Sequence, residues 1–69
     1  MSKTSYNRIK SVLAEKNKTN IYLAAKLEVD EVTVSSWCTN SSQPSIKRLF
    51  DIALILDVDV RELLVSTKP

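Results

Sequence analysis

The chain has no glycine among its 69 residues and only two prolines. Glycine enters left-handed backbone at no steric cost, so its absence constrains every tight turn. Two-residue β-hairpins, whose favoured turns need positive φ, are disfavoured, and an all-α fold is the reading that follows. Asn17 and Asn40 stand where a helix should end, and asparagine tolerates the left-handed conformation that such an end requires.

Apolar spacing places the helices. Tyr6, Ile9, Val12 and Leu13 recur at i, i+3, i+6 and i+7, which predicts a first helix over 5–16 capped by Thr4 or Ser5. Thr19 is positioned to cap a second helix over 20–26, with Ile21, Leu23, Ala24 and Leu27 as its apolar set. Asp30 should cap a third over 31–38, where Val34 and Trp37 mark the buried face and Glu31, Val32, Ser35 and Ser36 point outward. The run T-N-S-S-Q-P is a loop by composition, and Pro44 with Ser45 prepares a fourth helix over 46–56. Its core face is read as Ile46, Leu49, Phe50, Ala53 and Leu56, widened by Ile52, Leu54 and Ile55. After a turn at Asp57 and Val58, Asp59 and Glu62 have capping-box spacing and open a short fifth helix over 60–65.

Within this order, residues 20–37 (N-I-Y-L-A-A-K-L-E-V-D-E-V-T-V-S-S-W) hold two short amphipathic segments with room between them only for a tight turn. Helices that cross steeply need a small residue where their backbones approach, which Ala24 supplies. Branched residues such as Leu27, Val29 and Val34 fill the angle. This is the pattern of a helix-turn-helix, whose second helix can lie in a DNA major groove.

Composition narrows the function classes. Residues 1–69 make one small domain without internal repeats. Cys38 is the lone cysteine and there is no histidine, which excludes an internal disulfide, a Cys/His zinc site and a histidine-based triad. Glu15, Glu28, Asp30 and Glu31 do not make a metal cage. The chain is read as a non-enzyme, with no cofactor, metal or small-molecule substrate expected. The start M-S-K-T-S-Y-N lacks an apolar signal core and no apolar run reaches membrane-spanning length, so a cytoplasmic protein without a membrane partner is expected. Net charge is +2 but uneven: residues 1–26 carry +5, residues 27–43 carry −3, and the rest is balanced. A basic segment attracts phosphate backbones, and it serves equally as a solvated face. Tyr22 can reach a phosphate or simply lie on the surface. Lys47 and Arg48 oppose the dipole of the helix they open, which hints at another use.

R-I-K, T-N-I-Y-L-A-A-K-L-E-V, V-T-V-S-S-W, Q-P-S and D-I-A-L-I-L-D-V-D-V-R-E-L-L occur in order from Arg8 to Leu64. In this the chain resembles the phage-repressor or XRE helix-turn-helix family. The resemblance implies a five-helix, lambda-repressor-like bundle, commonly dimeric, that binds operator DNA and regulates transcription. Carried over by position, Glu31, Val32, Thr33 and Ser36 fall at the family's base-contacting sites, and Asn20, Thr39, Asn40, Ser41 and Ser45 where its members meet phosphates. Three departures stand out. Glu28 occupies a turn position where the family prefers glycine. Leu13 and Cys38 replace an arginine and a glutamate that often pair. The third helix carries no Arg, Lys, Asn or Gln, the side chains that make bidentate base contacts.

Two functions are therefore expected in competition. One is a transcriptional regulator binding double-stranded DNA as a homodimer on a two-fold operator; the other is an antitoxin-like or adaptor module on the same scaffold. Dimerisation is motivated by the apolar excess of the last two helices. A helical wheel leaves Ile55 outside the core, the family pattern makes Leu54 the more exposed, and Leu64 and Val65 extend the patch.

Overall fold

The computed structural model describes residues 5–68. It holds four α-helices, α1 (Ile9–Glu15), α2 (Asn20–Leu27), α3 (Glu31–Cys38) and α4 (Ile46–Leu56), then a 3₁₀ turn at Val60–Leu63. The fifth helix is thus a single turn. Asp59 and Glu62 do form the capping box, but Leu64 is already extended and pairs with Asn7 in an antiparallel bridge, so the helix cannot propagate.

All four α-helices close in the same way. Asn17, Glu28, Asn40 and Asp57 have φ of 57, 59, 61 and 58°. Each donates its N–H to the carbonyl three residues back, and the next residue donates to the carbonyl five back. This is the Schellman closure, which usually relies on glycine at the left-handed position. Asparagine and aspartate visit that region with some regularity; a glutamate there costs about 1 kcal/mol or more. Two of the closures are followed by apolar residues, Val29 and Val58, which pack on the core.

The helix starts follow the cap residues. The Thr19 hydroxyl accepts from Tyr22 N at 3.1 Å and Ser45 from Arg48 N at 3.2 Å. Asp30 is the N-cap of α3 without a side-chain hydrogen bond. α1 begins four residues later than its apolar period predicts. Asn7 Oδ1 accepts from Ile9 N, while the backbone on either side of Asn7 pairs with residues 63–65. Ser5 therefore caps nothing, Tyr6 is exposed and outside the core, and Thr4 lies outside the described residues.

The core consists of Ile9, Val12, Leu13, Leu23, Ala24, Leu27, Val34, Trp37, Leu49, Ile52, Ala53, Leu56 and Leu63. α2 packs on α3 and α4, and α1 on α3 and the 3₁₀ turn. Ala24, Leu27, Val34 and Trp37 hold the α2–α3 crossing as their types require. The reading of α4 is corrected. Leu49, Ile52, Ala53 and Leu56 are buried, whereas Ile46 is 72% and Phe50 59% exposed. α4 has apolar residues nearly all round, so its periodicity cannot place the centre of the buried face; its packing on α2 and the 3₁₀ turn does. Ile21, assigned to the apolar set of α2, also lies on the surface.

Candidate nucleic-acid interface

α3 exposes Glu31 and Val32 to solvent, with Thr33, Ser35 and Ser36 half-buried. Val34 and Trp37 point the opposite way into the core. Glu31 lies in the first turn, where the helix dipole favours a carboxylate. Ser36 is outward but occupied. Its hydroxyl donates to Thr33 O at 2.8 Å and lies 2.7 Å from Ser42 Oγ. With its proton on Thr33, Ser36 has only acceptor capacity left for a base edge.

Asn20, the first residue of α2, is half-buried and takes the Cys38 thiol on Oδ1 at 3.4 Å. That contact fixes the amide so that its NH₂ group, the donor a phosphate needs, has no partner among the described residues. Burial pushes the Cys38 thiol above its ordinary value, a shift partly offset by the Lys10 charge, so the neutral, donating S–H is favoured. One turn along α2, Tyr22 lies between two cations, with Lys18 Nζ 4.6 Å and Lys26 Nζ 5.7 Å from its ring centroid. This cation–π ridge adjoins Asn20 on α2.

The α3–α4 loop holds the remaining residues expected at phosphates. Thr39 Oγ1 donates to Ser36 O at 3.3 Å and lies 2.9 Å from Ser41 Oγ; both side chains are exposed, and each has to turn its proton outward to meet a phosphate. The Ser45 hydroxyl accepts from Arg48 N and so keeps its proton for an outside acceptor. Asn40 differs from them. Its Oδ1 accepts from Tyr6 N, Asn7 N and Gln43 Nε2 at 2.8, 3.1 and 3.1 Å, and its Nδ2 donates to Asn7 O at 3.3 Å. The side chain expected at a phosphate is turned inward.

Three residues in this network were not anticipated: Asn7, Gln43 and Ser42. Asn7 is the buried polar side chain of the described structure, 5% exposed. Its Nδ2 donates to Trp37 O at 3.0 Å and Gln43 Oε1 at 2.7 Å. A local signal was present, since asparagine two residues before an apolar stripe is a good cap. Lys47 is paired with Asp51 at 3.2 Å, and Arg48 Nη1 reaches Leu27 O at 3.4 Å at the end of α2.

The dimer candidates lie on α4 and beyond the 3₁₀ turn. Leu54 is 83% exposed and Ile55 half-buried against the core, which follows the family pattern and not the helical wheel. Both line an open groove of about 290 Å³ with Lys26, Leu27, Arg48 and Asp51. Leu64 and Val65 are also exposed.

The chain's likenesses agree with this geometry. A family profile described as helix-turn-helix matches residues 9–63, from the start of α1 to the end of the 3₁₀ turn. A crystal structure from Bacteroides fragilis, named a "putative DNA-binding protein", is similar over 86% of this chain and 95% of its own, with 51% identity and a TM-score of 0.85. Comparison with curated proteins finds no match. No helix among the described residues is long and apolar enough to cross a membrane. With the match spanning all four helices and the crossing of α2 and α3 in place, the chain belongs to the XRE-type, lambda-repressor-like helix-turn-helix family.

Proposed function

We propose that the protein is a DNA-binding transcriptional regulator that lays α3 in the major groove and acts as a homodimer on a two-fold operator. The observation that carries this reading is the packed α2–α3 pair, which leaves Glu31 and Val32 as exposed side chains of a helix whose other face is core. The family membership and the description of the Bacteroides fragilis relative support it.

The roles follow from side-chain chemistry. Glu31 accepts from a cytosine amino group, Val32 meets a thymine methyl, and Thr33 and Ser36 make permissive contacts. Asn20, Tyr22, Thr39, Ser41 and Ser45 meet phosphates, with Asn40 contributing through the loop it shapes. Readout of this kind is modest, because α3 offers no bidentate donor. Affinity then rests largely on backbone contacts, so it should fall steeply with salt. The second copy covers Leu54, Ile55, Leu64 and Val65, and Phe50 and Ile46 extend the same apolar surface along α4.

The absence of bidentate donors on α3 is also what favours the competing reading, an adaptor or antitoxin-like interaction module. Titrating salt against binding to random duplex separates the two. Binding that strengthens log-linearly as salt falls supports the regulator, and no binding at low ionic strength removes it. Sedimentation at tens of micromolar tests the dimer, and a monomer at that concentration would overturn it.

A further inference from the structure

We infer that Asn7, Asn40 and Gln43 form a clamp that positions the α3–α4 loop for the DNA backbone, an inference that rests on the regulator reading above. Eight side-chain hydrogen bonds join the three residues to one another, to Tyr6 N, to Trp37 O and to Ile9 N. Trp37 O belongs to the last turn of α3, so Asn7 ties the end of the candidate reading helix to the loop that follows it.

The loop needs such a clamp because of what it lacks. Residues 39–45 read T-N-S-S-Q-P-S, with no lysine or arginine. A cation draws a phosphate from several ångströms away and tolerates imprecise placement. A hydroxyl contact is short and directional, and it vanishes when the donor moves by about an ångström. Ser45, which only accepts within the protein, and Thr39 and Ser41, whose hydroxyls must turn outward from their own bonds, can therefore meet a phosphate only if the loop is held in place. At one side the loop is fixed to α3, where Asn40 N donates to Trp37 O, and Ser41 N and Ser42 N donate to Ser36 O. At the other it is held by side chains, with Gln43 bonded to both Asn7 and Asn40. The clamp residues touch no DNA themselves; they act through the hydroxyls.

Asn40→Gly is the incisive variant, since glycine keeps φ of 61° without strain and deletes only the side chain. Gln43→Ala, at an exposed position, removes one arm and covers the case in which the first variant fails to fold. Both are compared with the full-length parent for thermal unfolding, affinity for a duplex selected by the parent and for random duplex, and phosphate-ethylation interference. Folded variants should bind both duplexes about tenfold more weakly, with the ratio between them unchanged. Interference should disappear at the phosphates beneath the loop and persist elsewhere. A purely structural clamp would lower the melting temperature and leave affinity and interference as in the parent, which overturns the inference. If the parent binds no duplex at low ionic strength, the regulator reading falls and the clamp's role falls with it; if the parent binds and both variants match it, the clamp alone is wrong.

Discussion

α3 is flanked by two turns with the same backbone and different means of support. Before it, Glu28 adopts φ of 59° and Val29 follows; after it, Asn40 adopts φ of 61° and Ser41 follows. Both turns make the same pair of hydrogen bonds to the helix they end. The first leans on Val29, an apolar residue packed on the core, and the Glu28 side chain is exposed. The second is not followed by an apolar residue, and the Asn40 side chain instead holds the distant Tyr6–Asn7 segment and, within its own loop, Gln43. A left-handed residue can thus be tolerated because its neighbour packs, or because its own side chain bonds. Only the second makes the residue's identity matter beyond its φ.

Trp37→Ala would break the comparison outright. Trp37 is buried on the core face of α3, and its carbonyl accepts both Asn7 Nδ2 and Asn40 N. Loss of about 3–5 kcal/mol is expected, enough to abolish cooperative thermal unfolding in a domain this small. Next in size is Asn40→Ala, which loses the bonded side chain and also puts a Cβ without a local partner in the left-handed region. A loss of about 2–4 kcal/mol by denaturant titration is expected, of which Asn40→Gly should recover about 1 kcal/mol. At Glu28 the order inverts. Glu28→Gly relieves about 1–2 kcal/mol of strain and concedes about 0.4–1 kcal/mol of unfolded-chain entropy, so the melting temperature should rise by a few degrees. A fall there would show that Glu28 does more than occupy a turn.

The smallest effect lies at Asp59, where the cap is again a bonded side chain. The Arg61 guanidinium, hydrogen-bonded to it, holds its carboxyl below the ordinary value. A depressed folded-state pKa stabilises above the ordinary carboxylate range and is lost as pH falls through the lowered value. Asp59→Asn should leave the neutral melting temperature nearly unchanged and make the decline on the acid side shallower. Because the pair is exposed, a large acid effect here would contradict the account.

Sequence made some of these features legible and hid others for a common reason. The starts of α2 and α4 fall where Thr19 and Ser45 place them, because caps act within three residues of themselves, and α3 starts after Asp30 although that side chain makes no capping bond. The left-handed Asn17 and Asn40 were readable from residue type. The start of α1 was not, since Tyr6 continues the apolar period and what ends the helix is a partner some 57 residues away, Leu64. Ile46 and Phe50 were misplaced because α4 is apolar on too many sides for its wheel to choose. In the candidate interface, the outward direction of Glu31 and Val32 followed from the 3.6-residue period. The inward turn of Asn40 depends on Asn7 and Gln43, which only the fold brings together.

The pairing of Asn7 with Leu64 has a further consequence for how the molecule opens. Here Tyr6 and Asn7 donate their amides to Asn40 on one side, while on the other Arg8 N donates to Leu63 O and Val65 N to Tyr6 O. Opening the end pairing frees Asn7, and with it one support of the α3–α4 loop. The 6–8 and 63–65 segments and the loop should then exchange their amide hydrogens as one cooperative unit, at a common opening free energy below that of the α2–α3 core. On the proposed regulator reading, residence time on DNA is governed in part by how often the Asn7–Leu64 pairing opens.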